Sequence, residues 1–176
     1  MRVISGKYKG LVLKEYNVVG TRPTMDRVKE SLFGIIQNKV KNSICLDLFA
    51  GSGSLGLEAL SNGASKTYFV DKNKIIIDNM KKNFIKIEEP YYLYNLDYIE
   101  ALKQFKNQNL KFDIVFLDPP YEAFLINKSI ELLIEYDLLN EDSYIICEYT
   151  KEDIKCSLEI IKEKKYGDKY IRIYKS

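Results

Sequence analysis

From residue 44 onward the chain repeats one pattern, a short apolar run followed by a stretch with helical period. Apolar runs fall at 44–49, 66–70, 91–94, 112–117 and 144–148, and helical patterns occupy 54–62, 73–87, 97–105 and 125–136 between them. The runs read as buried strands, and in 73–87 the residues Ile76, Ile77, Met80, Phe84 and Ile87 share one helix face. Gly63 follows the first helical stretch where a left-handed cap is favoured. Such alternation predicts an α/β fold with a parallel sheet and helices on both faces. Segments 157–165 and 169–174 flank Gly167-Asp168, which reads as a hairpin turn and adds an antiparallel strand at the end of the sheet.

The residues ahead of this pattern differ in charge. Residues 1–41 hold nine Lys/Arg against three Asp/Glu, whereas 42–176 hold eighteen against twenty-two. A basic extension on a mildly acidic body suits contact with a polyanion, although a solvated lysine-rich surface has the same composition. Within the extension, 2–14 suggests a short hairpin and Thr21-Arg22-Pro23-Thr24 a turn. Thr24 can cap a helix over 25–38, with Met25, Val28, Leu32, Ile35 and Ile36 on one face. We expect one domain over 1–176, with 1–41 as the extension and 42–176 as the core. A length of 176 residues supports a sizeable core.

Composition removes several kinds of chemistry. The chain has no histidine, which excludes a Ser-His-Asp hydrolase and a His-bound zinc enzyme. Cys45, Cys147 and Cys156 lack metal-type spacing, and an odd, sparse count suits a reducing cytoplasm. No apolar run approaches a membrane span, and the start of the chain lacks the apolar core of a signal peptide. A cytoplasmic protein without a structural or catalytic metal is expected.

Two strand ends carry candidate chemistry. Asp47-Leu48-Phe49-Ala50-Gly51-Ser52-Gly53-Ser54-Leu55-Gly56 places a G-x-G-x-x-G after a strand and at the opening of a helix. Glycines there permit a tight turn and close approach of a ligand to the backbone. Asp71, twenty residues beyond Gly51, ends the next strand, where a carboxylate can accept from both hydroxyls of a ribose. A nicotinamide dinucleotide would share these features. Asp47 argues for another cofactor, because a carboxylate beside the loop repels a pyrophosphate but can hold an ammonium. S-adenosylmethionine has an ammonium, a sulfonium and no phosphate. Asp97 can accept from an adenine amino group, serve as a helix N-cap, or do both.

The second strand end is Asp118-Pro119-Pro120-Tyr121. Two prolines stop a core strand sharply and offer no N–H. They leave a carboxylate, free carbonyls and an aromatic ring, a receptor for a flat ring bearing an amine. Asp118 and the Pro119 carbonyl can accept the two N–H bonds of an exocyclic amine, and Tyr121 can stack on the base or simply pack. An amino-methyltransferase acting on guanine, adenine N6, cytosine N4 or a protein glutamine satisfies this motif. An NAD-dependent oxidoreductase leaves it unexplained. A non-catalytic RNA-binding module remains a further alternative.

Taken in order, the Asp47-to-Gly56 loop, Asp71, Asp97 and Asp118-to-Tyr121 resemble the motif series of class I S-adenosylmethionine-dependent methyltransferases. More narrowly, Met1-Arg2-Val3-Ile4-Ser5-Gly6, Thr21-Arg22-Pro23-Thr24, Asp26-Arg27-Val28-Lys29-Glu30-Ser31-Leu32-Phe33 and Leu46-Asp47-Leu48-Phe49-Ala50-Gly51-Ser52-Gly53 resemble the bacterial RsmD family. That resemblance implies a Rossmann-like, seven-stranded, mostly parallel sheet and methylation of a guanine N2 in 16S ribosomal RNA, presented on the small subunit; a monomer is expected. It assigns Asp118, Pro119 and Tyr121 to catalysis, and Asp47, Phe49, Gly51, Gly53, Gly56, Asp71 and Asp97 to the cofactor. Lys7, Lys9, Lys14, Arg22, Arg27 and Lys29 are candidate RNA-backbone contacts, with Arg22 alternatively directed at the cofactor.

Overall fold

The computed structural model describes residues 1–14, 26–120, 124–150 and 154–176. Thr21 to Thr24, Met25 and Tyr121 therefore lie outside the described residues. Five helices and seven named strands occur among the residues described, in the order α1 (Asp26–Val40), β1 (Ile44–Asp47), α2 (Ser54–Ser61), β2 (Lys66–Val70), α3 (Lys74–Asn83), β3 (Tyr91–Tyr94), α4 (Tyr98–Asn107), β4 (Phe112–Leu117), α5 (Phe124–Glu135), β5 (Leu139–Tyr149), β6 (Glu159–Tyr166) and β7 (Lys169–Lys175). The strands form one sheet in the order β3-β2-β1-β4-β5-β7-β6. The first five pair in parallel, and β7 runs antiparallel to both β5 and β6. The seven-stranded, mostly parallel sheet and its closing antiparallel hairpin are thus present.

Side chains alternate across the sheet, and each face buries a separate apolar cluster. On β4, Ile114 and Phe116 pack with the buried residues of α1, α2 and α3, whereas Val115 and Leu117 pack with those of α4 and α5. Burial on both faces explains why these strands read as unbroken apolar runs. Gly167, in the left-handed region at φ +63°, turns β6 into β7.

Several boundaries move from their sequence expectations. The first strand stops at Asp47 instead of continuing to 49, although Leu48 N and Ala50 N still donate to the carbonyls of Phe116 and Val70 on the neighbouring strands. The helix predicted over 73–87 ends at Asn83, yet Phe84 and Ile87 remain buried beyond its end. Asn73 lies outside it as N-cap, its side chain accepting from Ile75 N. Strand β5 begins at Leu139, earlier than the apolar run, and its register against β4 shifts between Phe112 and Ile114. Asp113 sits at that irregularity and accepts from Asn140 Nδ2 and Ile44 N.

The first fourteen residues form a small antiparallel turn, bridged between Arg2 and Val12, that lies along α2. Its anchor is Glu58, whose carboxylate accepts from Ile4 N, Ser5 N and Ser5 Oγ. Lys29 of α1 reaches the same carboxylate at 3.6 Å and also donates to the Arg2 carbonyl. Both charged side chains are fully buried. This corrects the assignment of Lys29 to RNA contact, since its ammonium faces the protein interior and is matched there.

Candidate active site

The sheet reverses direction of growth between β1 and β4. In an open parallel sheet the crevice at such a switch point, outside the carboxyl ends of the strands, is where ligands bind. Asp47 ends β1 and Asp118 follows β4, so the two sequence motifs meet there. Asp71 and Asp97 follow β2 and β3 on the same edge of the sheet.

The glycine loop is held by two of these carboxylates. Asp47 Oδ2 accepts from Gly56 N at 3.0 Å, and Asp71 Oδ2 accepts from Gly51 N at 3.0 Å while its Oδ1 accepts from Asn73 N at 2.8 Å. Gly51 has φ +53° and open space where a side chain would stand, so a ligand can approach the backbone there. Gly56 serves packing instead: a Cβ on it would lie 2.3 Å from the Phe69 ring. Gly53, at φ +75°, is the N-cap of α2 and offers no side-chain cap. The loop's Phe49 ring, half-buried, lies 5.4 Å from the ring of Tyr98. Asp97 caps α4 in a capping box with Glu100, its Oδ1 accepting from Ile99 N.

The electrostatics follow from burial. Asp47 is buried, and desolvation pushes its carboxyl up to about 7 against the lowering effect of the Gly56 N–H. Asp71 is raised for the same first reason. Asp118 is pushed up to about 8, by desolvation first and then by the Glu148 charge, with Lys169 opposing and Asp47 adding. Carboxylates ringing a loop in this way favour a cationic ligand and disfavour a pyrophosphate. The donor set therefore fits S-adenosylmethionine, which carries an ammonium and a sulfonium.

The remaining predicted residues separate by location. Lys7 is exposed but paired with Glu88 at 2.7 Å and Glu89 at 2.8 Å. Lys9, Lys14 and Arg27 are exposed. Arg22 and Tyr121 fall outside the described residues. Sequence reasoning missed Glu148 and Lys169, which form an ion pair next to Asp118. The available signal was a carboxylate at the end of an apolar strand, the same signal that singled out Asp118. Among the described residues no group of three His, Cys, Asp or Glu is arranged to hold a metal, and no helix is long and apolar enough to cross a membrane.

Comparisons with known proteins agree with this geometry. The family model described as "Conserved hypothetical protein 95" matches residues 1–175. The ribosomal RNA small subunit methyltransferase D of Haemophilus influenzae is 39% identical over 100% of this chain and 94% of its own length. YlbH of Bacillus subtilis is 38% identical over 99% of this chain and 98% of its own. The solved structure of yhhF from Escherichia coli superposes with a TM-score of 0.87 at 30% identity, covering 99% of this chain and 97% of that one. The chain belongs to the RsmD family and is a methyltransferase.

Proposed function

We propose that the chain methylates the exocyclic N2 amine of a guanine in 16S ribosomal RNA of the small subunit. The observation that carries the reading is the meeting of Asp118-Pro119 with the Asp47–Gly56 loop at the sheet's switch point. The ribosomal substrate is supported by the name of the Haemophilus influenzae relative and by the basic residues of the N-terminal extension. A cytoplasmic monomer satisfies this role.

Bound S-adenosylmethionine supplies a methyl group on a sulfonium, a leaving group that requires no added acid. Asp71 has lone pairs left for ribose hydroxyls beyond the bonds it accepts from Gly51 N and Asn73 N, and Asp47 would face the ammonium. Asp97 retains an oxygen that can accept from the adenine amine. The N2 amine of guanine is a weak nucleophile because its lone pair is delocalised into the ring. Asp118 and the Pro119 carbonyl, by accepting its two N–H bonds, let the nitrogen pyramidalise and direct the lone pair at the methyl carbon. Alignment in the crevice then supplies much of the rate as effective molarity. Asp118 or water accepts the proton that the product nitrogen loses. Exposed Lys9, Lys14 and Arg27 position the RNA backbone without reading sequence. Tyr121 stacking would contribute about 1–3 kcal/mol toward holding an unstacked base.

Labelled methyl transfer to small subunits and to naked 16S RNA, followed by nucleoside analysis, tests the reading. Label should appear in N2-methylguanosine and disappear with Asp118→Ala, while cofactor affinity stays near wild type. Label in another base or in protein moves the substrate. Near-normal turnover in Asp118→Ala sinks the mechanism.

A further inference from the structure

Asp118 does not stand alone at the tip of β4. The parallel register pairs Leu117 with Cys147, so the next residues, Asp118 and Glu148, are neighbours at the ends of β4 and β5. Glu148 points to the α1–α3 face of the sheet, since Ile146 belongs to that cluster and Cys147 to the opposite one. On the other side of β5, Glu148 pairs across the antiparallel ladder with Ile171, and Lys169 lies two residues along β7 on the same face. That diagonal is within reach of a long side chain. The Lys169 ammonium donates to Glu148 Oε1, and both partners are largely buried. Asp47, one strand beyond Asp118 and buried, completes a row of three carboxylates across β1, β4 and β5. Among the described residues, Lys169 is the cation whose charge acts on Asp118, against Glu148 and Asp47.

A buried ion pair by itself contributes little net stability, because desolvation offsets the attraction. Its location matters more. Two adjacent carboxylates in a shielded site cannot both ionise without a counter-charge, and a proton shared between them would remove the acceptor that the amine needs. We propose that Glu148 and Lys169 are positioning residues for Asp118 that act on it in opposite senses: the β5 carboxylate beside the strand tip favours a proton there, and the β7 cation bound to that carboxylate limits the effect and keeps Asp118 available as an acceptor. This rests on the proposed role of Asp118, but its first test does not require turnover.

Carbon-13 NMR titration of the Asp118 carboxyl, without cofactor or RNA, reads the coupling directly. Lys169→Met should raise the Asp118 midpoint, and Glu148→Gln should lower it, each by about one pH unit or more. Lys169→Arg should leave it near wild type. The acid limb of kcat at saturating cofactor should move with the same signs. A pair serving only to close the sheet predicts lower melting temperatures for both variants and no opposed shifts. If Lys169→Met fails to fold, the downward shift in Glu148→Gln still decides, since loss of packing does not produce it. Shifts of one sign, or none, overturn the proposal. A failure of methyl transfer with opposed shifts intact would instead count against the proposed function.

Discussion

The buried Glu58–Lys29 pair fixes how the basic extension is attached, and its two halves should differ in cost. Glu58 accepts from Ile4 N at 3.0 Å, Ser5 N at 2.8 Å and Ser5 Oγ at 2.7 Å, with the Lys29 ammonium at 3.6 Å. Glu58→Ala removes every one of these acceptors, leaving two backbone donors and a fully buried cation that still donates to the Arg2 carbonyl. Burial already pulls the Lys29 pKa down despite the Glu58 charge, so the ammonium is poorly solvated even when paired. Breaking a buried pair in this way costs about 3–5 kcal/mol. Lys29→Met is milder. The methionine fills the same apolar stripe, and the carboxylate keeps three donors, each bond to a charged group contributing about 1.5–3 kcal/mol. A loss of about 1–2 kcal/mol is expected there, because the three retained donors still satisfy the carboxylate, whereas Glu58→Ala leaves every donor without an acceptor. With a urea slope of about 2 kcal/mol/M, Glu58→Ala should lower the midpoint by about 2 M and Lys29→Met by less than about 1 M. Equilibrium urea unfolding followed by circular dichroism reads both. If Lys29→Met proves as damaging as Glu58→Ala, the donor accounting is wrong. An altered salt slope of RNA binding in Lys29→Met would return Lys29 to the RNA surface.

Two further predictions concern the carboxylates of the crevice. Asp71→Ala should weaken cofactor binding by about 1.5–3 kcal/mol in calorimetry; unchanged affinity would reject the ribose role. Asp71 also holds Gly51 N and Asn73 N, so Asp71→Asn, which retains an acceptor, separates binding from loop support. The second is a pH dependence of stability without cofactor. Asp47 and Asp118 are both raised, to about 7 and about 8. The folded state therefore binds more protons than the unfolded one above pH ~4, and stability falls as pH rises. The contribution is complete below the ordinary carboxylate range and is lost on passing through 7 to 8. The melting temperature should fall between pH 5 and pH 8, and Asp47→Asn should flatten the fall. A melting temperature that climbs over that interval would contradict the burial argument.

Much of the fold was legible because its strands are buried on both faces. The runs at 66–70 and 112–117 coincide with β2 and β4, since the core determines where they begin and end; the run at 91–94 coincides with β3, an edge strand whose aromatic residues are only half-buried. Strand order was not legible: apolar runs state that a residue is buried, not beside which strand. The early start of β5 was hidden because Asn140, Glu141 and Asp142 are polar, yet the backbone there already joins the sheet. Lys29 was misread for a different reason. Counting charges treats every lysine as solvated, but Lys29, Leu32, Phe33, Ile36 and Val40 fall on one helical stripe, and that spacing placed it inside. The same counting concealed a second basic region. Exposed Lys162, Lys164 and Lys165 on the edge strand β6 lie within a stretch that, averaged over the whole body, looked acidic.

The carboxylates of Asp47, Asp118 and Glu148 give the proposed chemistry its proton balance. Methylating an amine with a sulfonium donor consumes one positive charge on the donor and releases one proton from the nitrogen. A bound sulfonium donor would favour the ionised form of Asp118 and oppose the burial that, even with Lys169 in place, pushes it up to about 8. Asp118 can then accept the amine's hydrogen bonds while remaining a weak base. Once that charge had been consumed, Asp47, Asp118 and Glu148 would again be short of positive charge, and the affinity of Asp118 for a proton would rise. The carboxylate thus becomes a better base at the moment the product nitrogen must lose a proton. Burial and like-charge crowding, which make this crevice unfavourable without a ligand, are on this reading what allows a chain without histidine to complete the reaction near neutral pH.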